Sequence, residues 1–533
     1  MTFSAATPAA AVRLVPPQEV QQALQGSAEI AFLDVREEGQ FGEGHPFFAV
    51  NAPYSRLELD IGALVPRPAT PVVLLDDGDG LALKAAQRLA AVGYCDLAVL
   101  DGGVAAWVAA GYEVYKSVNS RLKAFAEVVE HAFHTPAIEA GDLARLKEDG
   151  VDLVILDSRT PEEFARFHVP GASSCPGAEL VEKFDAYVRG PEQLVVVSCA
   201  GRTRGIIGAQ SLIDAQVPNR VLALKGGTQG WRLAGLALEA GAAAPAPASD
   251  TGTARARAEA VRTRFGVPVV DAATFARWRD AEAAGRTTFL FDLRDAADRA
   301  ALPVPGAVAA PGGQLVQSLD KWVGVQHARI VLVDADGVRA RLTAHWLIQL
   351  GEDVHVFDGA PGDIAVAIEG APVAAVPRVP RIPAHEAAAL LKDGARALSL
   401  DASAAYRAGH AAGALWSIRP RLAGLPAEVL AAPVLVLFAA DPCVADLAAL
   451  DLSGLSAARI VAVEGGYAAW RAAGLPVEAS PATPPDAARI DYLFWAHDRH
   501  DGNPEAMRTY LGWEEQLPAQ VAAEGGGGFR LAV

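Results

Sequence analysis

The sequence predicts an α/β protein made of four copies of one unit, each a parallel sheet covered by helices on both faces. Three observations predict it. An apolar segment ending in Asp recurs at intervals of 109–135 residues: Phe32-Leu33-Asp34-Val35-Arg36, Ile155-Leu156-Asp157-Ser158-Arg159, Leu290-Phe291-Asp292-Leu293-Arg294 and Leu398-Ser399-Leu400-Asp401. A Gly-Gly turn ahead of a Trp closes three copies: Gly102-Gly103 before Trp107, Gly226-Gly227 before Trp231 and Gly465-Gly466 before Trp470; the third copy has Asp358-Gly359-Ala360 and no Trp. Between these landmarks, short continuous apolar runs (Val72–Leu75, Val195–Ser198, Ile330–Val333, Val434–Leu437) alternate with helical stretches. Continuous rather than alternating apolar strands belong to parallel sheets buried on both faces.

Each copy reads the same way from its start. A helical stretch precedes the strand ending in Asp. A loop follows, with a Pro-Gly-Ala turn that is clearest at His168-Val169-Pro170-Gly171-Ala172. Then come the buried strand, a loop, an amphipathic helix such as Ile206–Ala215, a short strand, the Gly-Gly turn and a last helix around the Trp. The expected boundaries are 1–115, 116–242, 243–375 and 376–480, with an extension over 481–533. Residues 116–135 form a connector with a helix around Arg121–His131. The Ala-, Pro-, Ser- and Gly-rich stretch 241–252 is a linker. Ala254–Phe265, with four arginines, is a solvated helix. The extension carries an aromatic stretch, Tyr492–Trp495, and a helix near Pro504–Gln516, and is expected to pack on the last unit.

Composition sets limits on function. At 533 residues the chain has room for about three to five domains. Its 51% apolar and 20% charged content is that of a globular protein. A net charge of −17 with no basic block argues against nucleic acid or an anionic membrane as partner. The longest apolar runs, such as Ala431–Ala440, are about half a membrane span. Four cysteines make no disulfide framework and fit a reducing compartment. Met1–Ala11 has no basic segment ahead of an apolar core, so a cytoplasmic location is expected.

One feature carries chemistry. In the second unit the strand Val195–Ser198 runs into Cys199-Ala200-Gly201-Arg202-Thr203-Arg204-Gly205, and a helix follows. A loop at the C-terminal end of a parallel strand that opens a helix is where α/β proteins hold ligands. Its N–H groups can converge as an anion nest, and the helix N-terminus adds positive potential. With Arg202 and Arg204 alongside, Cys199 is expected to have a depressed pKa and to be nucleophilic at neutral pH.

The chain here resembles the tandem rhodanese-domain sulfurtransferases, over roughly residues 15–480. The resemblance rests on Asp157-Ser158-Arg159, Glu163-Phe164, His168–Ala172, Cys199–Arg204, Gly226-Gly227 and Trp231. It implies four rhodanese-like units, each a five-stranded parallel sheet flanked by helices, and persulfide chemistry. Cys199 would take the outer sulfur of a donor and pass it to cyanide, a thiol or a protein acceptor, with no cofactor. The backbone of Ala200, Gly201, Arg202, Thr203, Arg204 and Gly205 would hold the persulfide, and the side chains of Arg202 and Arg204 the anionic donor. The loop is one residue shorter than in related phosphatases of the same fold. It also departs from the Cys-Gly-Ser-Gly loop of mercaptopyruvate enzymes, and Glu163 stands where two-domain enzymes tend to have an Arg. Thiosulfate or a low-molecular-weight persulfide is therefore the expected donor. A mercaptopyruvate sulfurtransferase, and a persulfide carrier that relays sulfur to a protein partner, remain the alternatives.

The other units lack the nucleophile. Asp76 stands at the Cys199 position in the first and Asp334 in the third; in the fourth it is Phe438 or Ala439. The first two units resemble the family's usual pair, inactive domain first. Cys175 and Cys95 are expected to be packing residues, with Cys443 the second candidate nucleophile. Asp157 and Arg159 are expected to brace the loops under the site. His168 is expected to be a hydrogen-bonding structural residue, and His497-Asp498-Arg499-His500-Asp501 a surface polar cluster rather than a metal site.

Overall fold

The computed structural model describes residues 12–242, 244, 251–280, 285–364 and 376–532. Most of the 241–252 linker, and Met1–Ala11, lie outside the described residues. The described residues contain four five-stranded sheets with one strand order: the first strand in sequence lies at an edge, followed by the fifth, fourth, second and third. Every pair within them is parallel. The fourth strand is therefore central, which explains the continuous apolar runs. In Val434–Phe438, Leu435 and Leu437 enter one core while Val436 and Phe438 enter the core on the opposite face.

The landmarks have local physical causes. Asp34, Asp157 and Asp292 end their strands, and each accepts the guanidinium of the Arg two residues on; Arg159 Nη2 lies 2.7 Å from Asp157 Oδ2, and both are buried. The same guanidinium reaches the carbonyl of Gly44, Phe167 or Leu302, closing the loop that follows. Trp107, Trp231 and Trp470 each donate from Nε1 to the carbonyl six residues ahead. His45, His168 and His410 each stack on an aromatic ring four residues earlier and bond its carbonyl through Nδ1. His168 is thus held by the fold in the same way as two histidines of units without a cysteine loop.

Sheet register corrects one landmark and resolves another. Ser158 N–H donates to the Ser198 carbonyl, and the matching bond in the fourth sheet is Leu400 N–H to Phe438. Ser399, not Asp401, therefore occupies the Asp157 position, because that strand ends two residues earlier than the apolar pattern suggests. The same register makes Ala439 the counterpart of Cys199. Asp76 and Asp334 follow their central strands directly, as Cys199 does.

The described chain forms two compact units. One carries the first and fourth sheets and runs on to Trp495; the other carries the second and third sheets and the chain from Ala496. Specific buried contacts tie the observed pairs. From the third sheet's helix Val338–Gln349, Arg339 reaches Glu182 in a turn of the second unit at 2.6 Å and Trp346 Nε1 donates to Ser211 Oγ of helix Thr203–Asp214 at 2.8 Å. In the other unit Arg419, wholly buried, lies between Glu58 at 2.8 Å and Asp451 at 3.2 Å. The extension divides likewise. Residues up to Trp495 follow the expected packing on the last unit, where Asp491 caps Ser403 N–H at 2.7 Å. The helix Pro504–Ala523 does not: it packs on the cysteine-bearing sheet's unit.

Removing one member of a buried ion pair leaves the other charged and dry, at a cost of about 3–5 kcal/mol. Arg419→Ala should therefore speed amide exchange in Leu57–Leu64 and Pro442–Leu452 well beyond wild type. Unchanged protection of these two helices would contradict the pairing.

Candidate active site

Strand Leu194–Ser198 is wholly buried at the centre of its sheet, and Cys199 follows its last residue. Helix Thr203–Asp214 begins four residues later. The Gly226-Gly227 turn fixes the loop between them. Both glycines have positive φ, and a Cβ on Gly227 would lie 2.3 Å from the Cys199 carbonyl oxygen. Only glycine permits that approach, and it lets Thr228 N–H donate to the Cys199 carbonyl at 2.9 Å and Gln229 N–H to Ala200 at 3.1 Å. With its carbonyls bound from that side, the loop turns toward the start of the helix. Gly205 N–H donates to Cys199 Sγ. A Cβ on Gly205 would stand 3.5 Å from the sulfur.

Cys199 is 2% exposed, and its thiol departs from the depressed pKa expected from sequence. Burial pushes it up to about 11, against the opposing pull of Arg204 and Gly205 N–H; Asp157 and Glu514 add to the rise. The two arginines do not overcome burial, because each is paired with carboxylates. Arg202 is 7% exposed and turned to three carboxylates: Glu127 at 2.7 Å, Glu130, and Glu515 at 3.2 Å. Arg204 forms a bidentate pair with Glu163 at 2.6 and 2.7 Å. Burial alone would raise the Glu163 carboxyl, but Arg204 outweighs it and holds it down at about 2. Burial keeps Glu127 at about 7 even against Arg202. Of the two cations expected beside the thiol, Arg204 acts on it through its field and Arg202 is engaged elsewhere.

The chain's last helix contributes residues that sequence reasoning did not single out. Glu514 Oε1 accepts from Thr203 Oγ1 at 3.2 Å and from Tyr510 O–H at 3.0 Å. Lys123, from the connector helix Ser120–Phe133, is buried near the rings of Tyr510 and Trp513. Burial pushes Glu514 up and Lys123 down, each opposing the other's shift. His500 is pushed down to about 4 by burial and Arg499. Glu514, Tyr510 and Lys123 had no motif to betray them; the signal available was Tyr510 and Glu514 at i and i+4, one face of a helix.

The other cysteines stand apart from this loop. Cys175 is fully buried, its N–H bonded to the Asp157 carbonyl and its thiol pushed further up than that of Cys199 by burial. Cys95 and Cys443 are exposed, the latter in the first turn of helix Pro442–Leu452. Among the described residues, no group of three or more His, Cys, Asp or Glu is placed to hold a metal ion, and no helix is long and apolar enough to cross a membrane.

The first and third units fill the corresponding loop with a carboxylate. Asp76 accepts from Gly78 N–H at 2.9 Å and Ala82 N–H at 2.8 Å; Asp334 accepts from Ala335 N–H at 2.8 Å and Ala340 N–H at 3.2 Å. Each oxygen pair caps the helix that follows, accepting N–H groups of the loop and of the helix's first turn.

Known proteins place this arrangement. The family model for the rhodanese-like domain matches residues 16–110 and 139–234, the first two sheets. A rhodanese-like domain of Anabaena solved in solution is 27% identical over 22% of this chain and 88% of its own, with a TM-score of 0.19. An HTH-type transcriptional regulator of Mycobacterium tuberculosis is 33% identical over 106 residues, 20% of this chain; the chain spans 46% of that regulator's length. The crystal structure of a thiosulfate sulfurtransferase from Pseudomonas aeruginosa is 41% identical, covers 98% of this chain and 100% of its own, and superposes with a TM-score of 0.90. Likeness at that level along the whole of both chains, on a fold whose sheets repeat one strand order, makes this chain a member of the rhodanese-like sulfurtransferase family.

Proposed function

We propose that the protein moves sulfane sulfur from thiosulfate to a small thiophilic acceptor through a persulfide on Cys199. The observation that carries this reading is the position of Cys199 at the end of the central strand, with Gly205 N–H on its sulfur and the Thr203–Asp214 helix opening beside it. In the first half-reaction the thiol proton leaves to solvent and the thiolate attacks the outer sulfur of thiosulfate. The new S–S bond forms on Cys199, the donor S–S bond breaks, and its electron pair departs with sulfite. In the second, cyanide or a thiolate attacks the outer persulfide sulfur, and the Cys199 thiolate is released. The N–H groups from Ala200 to Gly205 and the positive end of the helix stabilise the charged persulfide. Arg204 offsets charge at the sulfur through its field, while Glu163 keeps it in place.

Small acceptors are favoured over a protein acceptor by the burial of Cys199 and by Glu514 and Tyr510 of the last helix lying against the loop. The units without a cysteine at the Cys199 position act as packing partners, since a carboxylate or Ala439 there cannot carry sulfane sulfur.

Intact mass after brief exposure to thiosulfate should rise by one sulfur, about 32 Da, on the peptide containing Cys199. No adduct there with thiosulfate or glutathione persulfide would remove the reading. Loading only by a protein donor would turn it toward a carrier.

A thiol held up at about 11 is scarcely ionised at neutral pH, and its thiolate fraction grows about tenfold for each pH unit below that value. Alkylation of Cys199 by iodoacetamide, followed by peptide mapping, should therefore accelerate about tenfold per unit between pH 7 and 10. A rate flat from pH 6 to 8 would mean a thiol already ionised, against the burial described.

A further inference from the structure

The pairing of Arg204 bears on which sulfur donor the site takes. Arg204 opposes the effect of burial on the Cys199 thiol, so its guanidinium lies close enough to act on the sulfur. Its Nη1 and Nη2 both donate to Glu163, at 2.6 and 2.7 Å. The Glu163 side chain is 37% exposed and that of Arg204 13%, so the carboxylate is the more solvent-facing member of the pair. Glu163 Oε2 also accepts from Thr160 N–H at 3.3 Å, in the capping box that starts helix Pro161–Arg166. The carboxylate is thus anchored on its own helix. It is ionised at neutral pH, since Arg204 outweighs burial and holds it down at about 2.

The outcome is a guanidinium near the sulfur with its charge already matched. The neighbouring cations are matched too: Arg202 by Glu127, Glu130 and Glu515, and Arg159 by Asp157. His500, pushed down to about 4 by burial and Arg499, is neutral at pH 7. A bare guanidinium would attract an anionic donor in proportion to the donor's charge. A guanidinium joined to a carboxylate acts as a dipole, whose pull is weaker and fades faster with distance. Thiosulfate carries two negative charges and a thiosulfonate one, on the same type of sulfur–sulfur bond. Pairing with Glu163 therefore takes more attraction from thiosulfate than from a thiosulfonate.

We propose that Glu163 is a positioning residue that sets donor specificity through Arg204: it holds the guanidinium beside the sulfur and cancels its charge, so that the site does not favour a dianionic sulfane-sulfur donor over a singly charged one. This rests on Cys199 being the sulfur acceptor, and two measurements separate the claims. The first compares kcat/KM for thiosulfate with kcat/KM for methanethiosulfonate. With the latter the Cys199 thiolate attacks the outer sulfur, and methanesulfinate leaves with the electron pair of the broken S–S bond, as sulfite does from thiosulfate. Glu163→Gln keeps an acceptor for Thr160 N–H and leaves Arg204 uncompensated; it should raise the thiosulfate-to-methanethiosulfonate ratio about tenfold. Glu163→Asp keeps the charge and should hold the ratio near wild type. An unchanged or lower ratio in Glu163→Gln would assign the pair a structural role and overturn the proposal. The wild type gives a check that needs no variant: raising NaCl from about 50 to about 500 mM should not lower kcat/KM for thiosulfate, and a steep fall would reveal an unmatched cation and overturn the proposal. The second measurement is alkylation of Cys199, which needs no sulfur transfer. The ratio of its rates with iodoacetate, an anion, and iodoacetamide, which is neutral, should rise about tenfold in Glu163→Gln, and no rise would count against the proposal in the same way. A raised alkylation ratio in a protein whose wild type takes no sulfur from either donor would sustain the role of Glu163 and sink the persulfide reading instead.

Discussion

Charge cannot be left bare inside a protein, and the cysteine loop is buried with two arginines in it. Each guanidinium must therefore be matched, and the partners come from elements far apart in sequence: Glu163 from the helix after the Asp-x-Arg turn, Glu127 and Glu130 from the connector helix, Glu515 from the last helix. This requirement organises the second unit. It ties the connector and the last helix to the loop, and it holds Arg202 against Glu127, Glu130 and Glu515. Together with burial it leaves Cys199 a thiol whose proton is held rather than shed.

Reactivity in such a site comes less from permanent positive charge than from geometry that favours an anion once formed. The first and third units show the same loop arrangement. Where Cys199 is replaced by Asp76 or Asp334, the carboxylate is bound by N–H groups of the same loop and of the first turn of its helix. A persulfide anion on Cys199 would meet the same backbone arrangement, one heavy atom longer. The repeated fold thus supplies one such loop that begins with a cysteine and, in the first and third units, copies of that loop closed by their own side chains.

Much of this was legible in the residues. The four-fold repeat, the parallel sheets, the cysteine loop and the aspartates at its counterparts all follow from local pattern: apolar runs, a Gly-Gly turn that a Cβ would block, a strand opening into a helix. What stayed hidden depends on distance in sequence. Nothing local says that Arg202 faces Glu127 or that Glu514 reaches Thr203 across about 310 residues. Burial reversed the expected direction of the Cys199 shift because the pattern reveals the cations but not the carboxylates that neutralise them. The misplaced Asp401 has a similar origin. Its unit lost the Asp-x-Arg pair, Ser403 now meets Arg489 from the extension at 3.1 Å, and an apolar run two residues longer than the strand drew the alignment to the wrong residue.

The central claim is that Cys199 alone carries the sulfur. Its most direct test is thiocyanate production from thiosulfate and cyanide by a protein in which Cys95, Cys175 and Cys443 are all replaced by Ser, set beside Cys199→Ser. The account predicts turnover close to wild type in the triple variant and none above background in Cys199→Ser. Retained turnover in Cys199→Ser would contradict it, as would its loss from a triple variant that still folds with the wild-type near-UV spectrum.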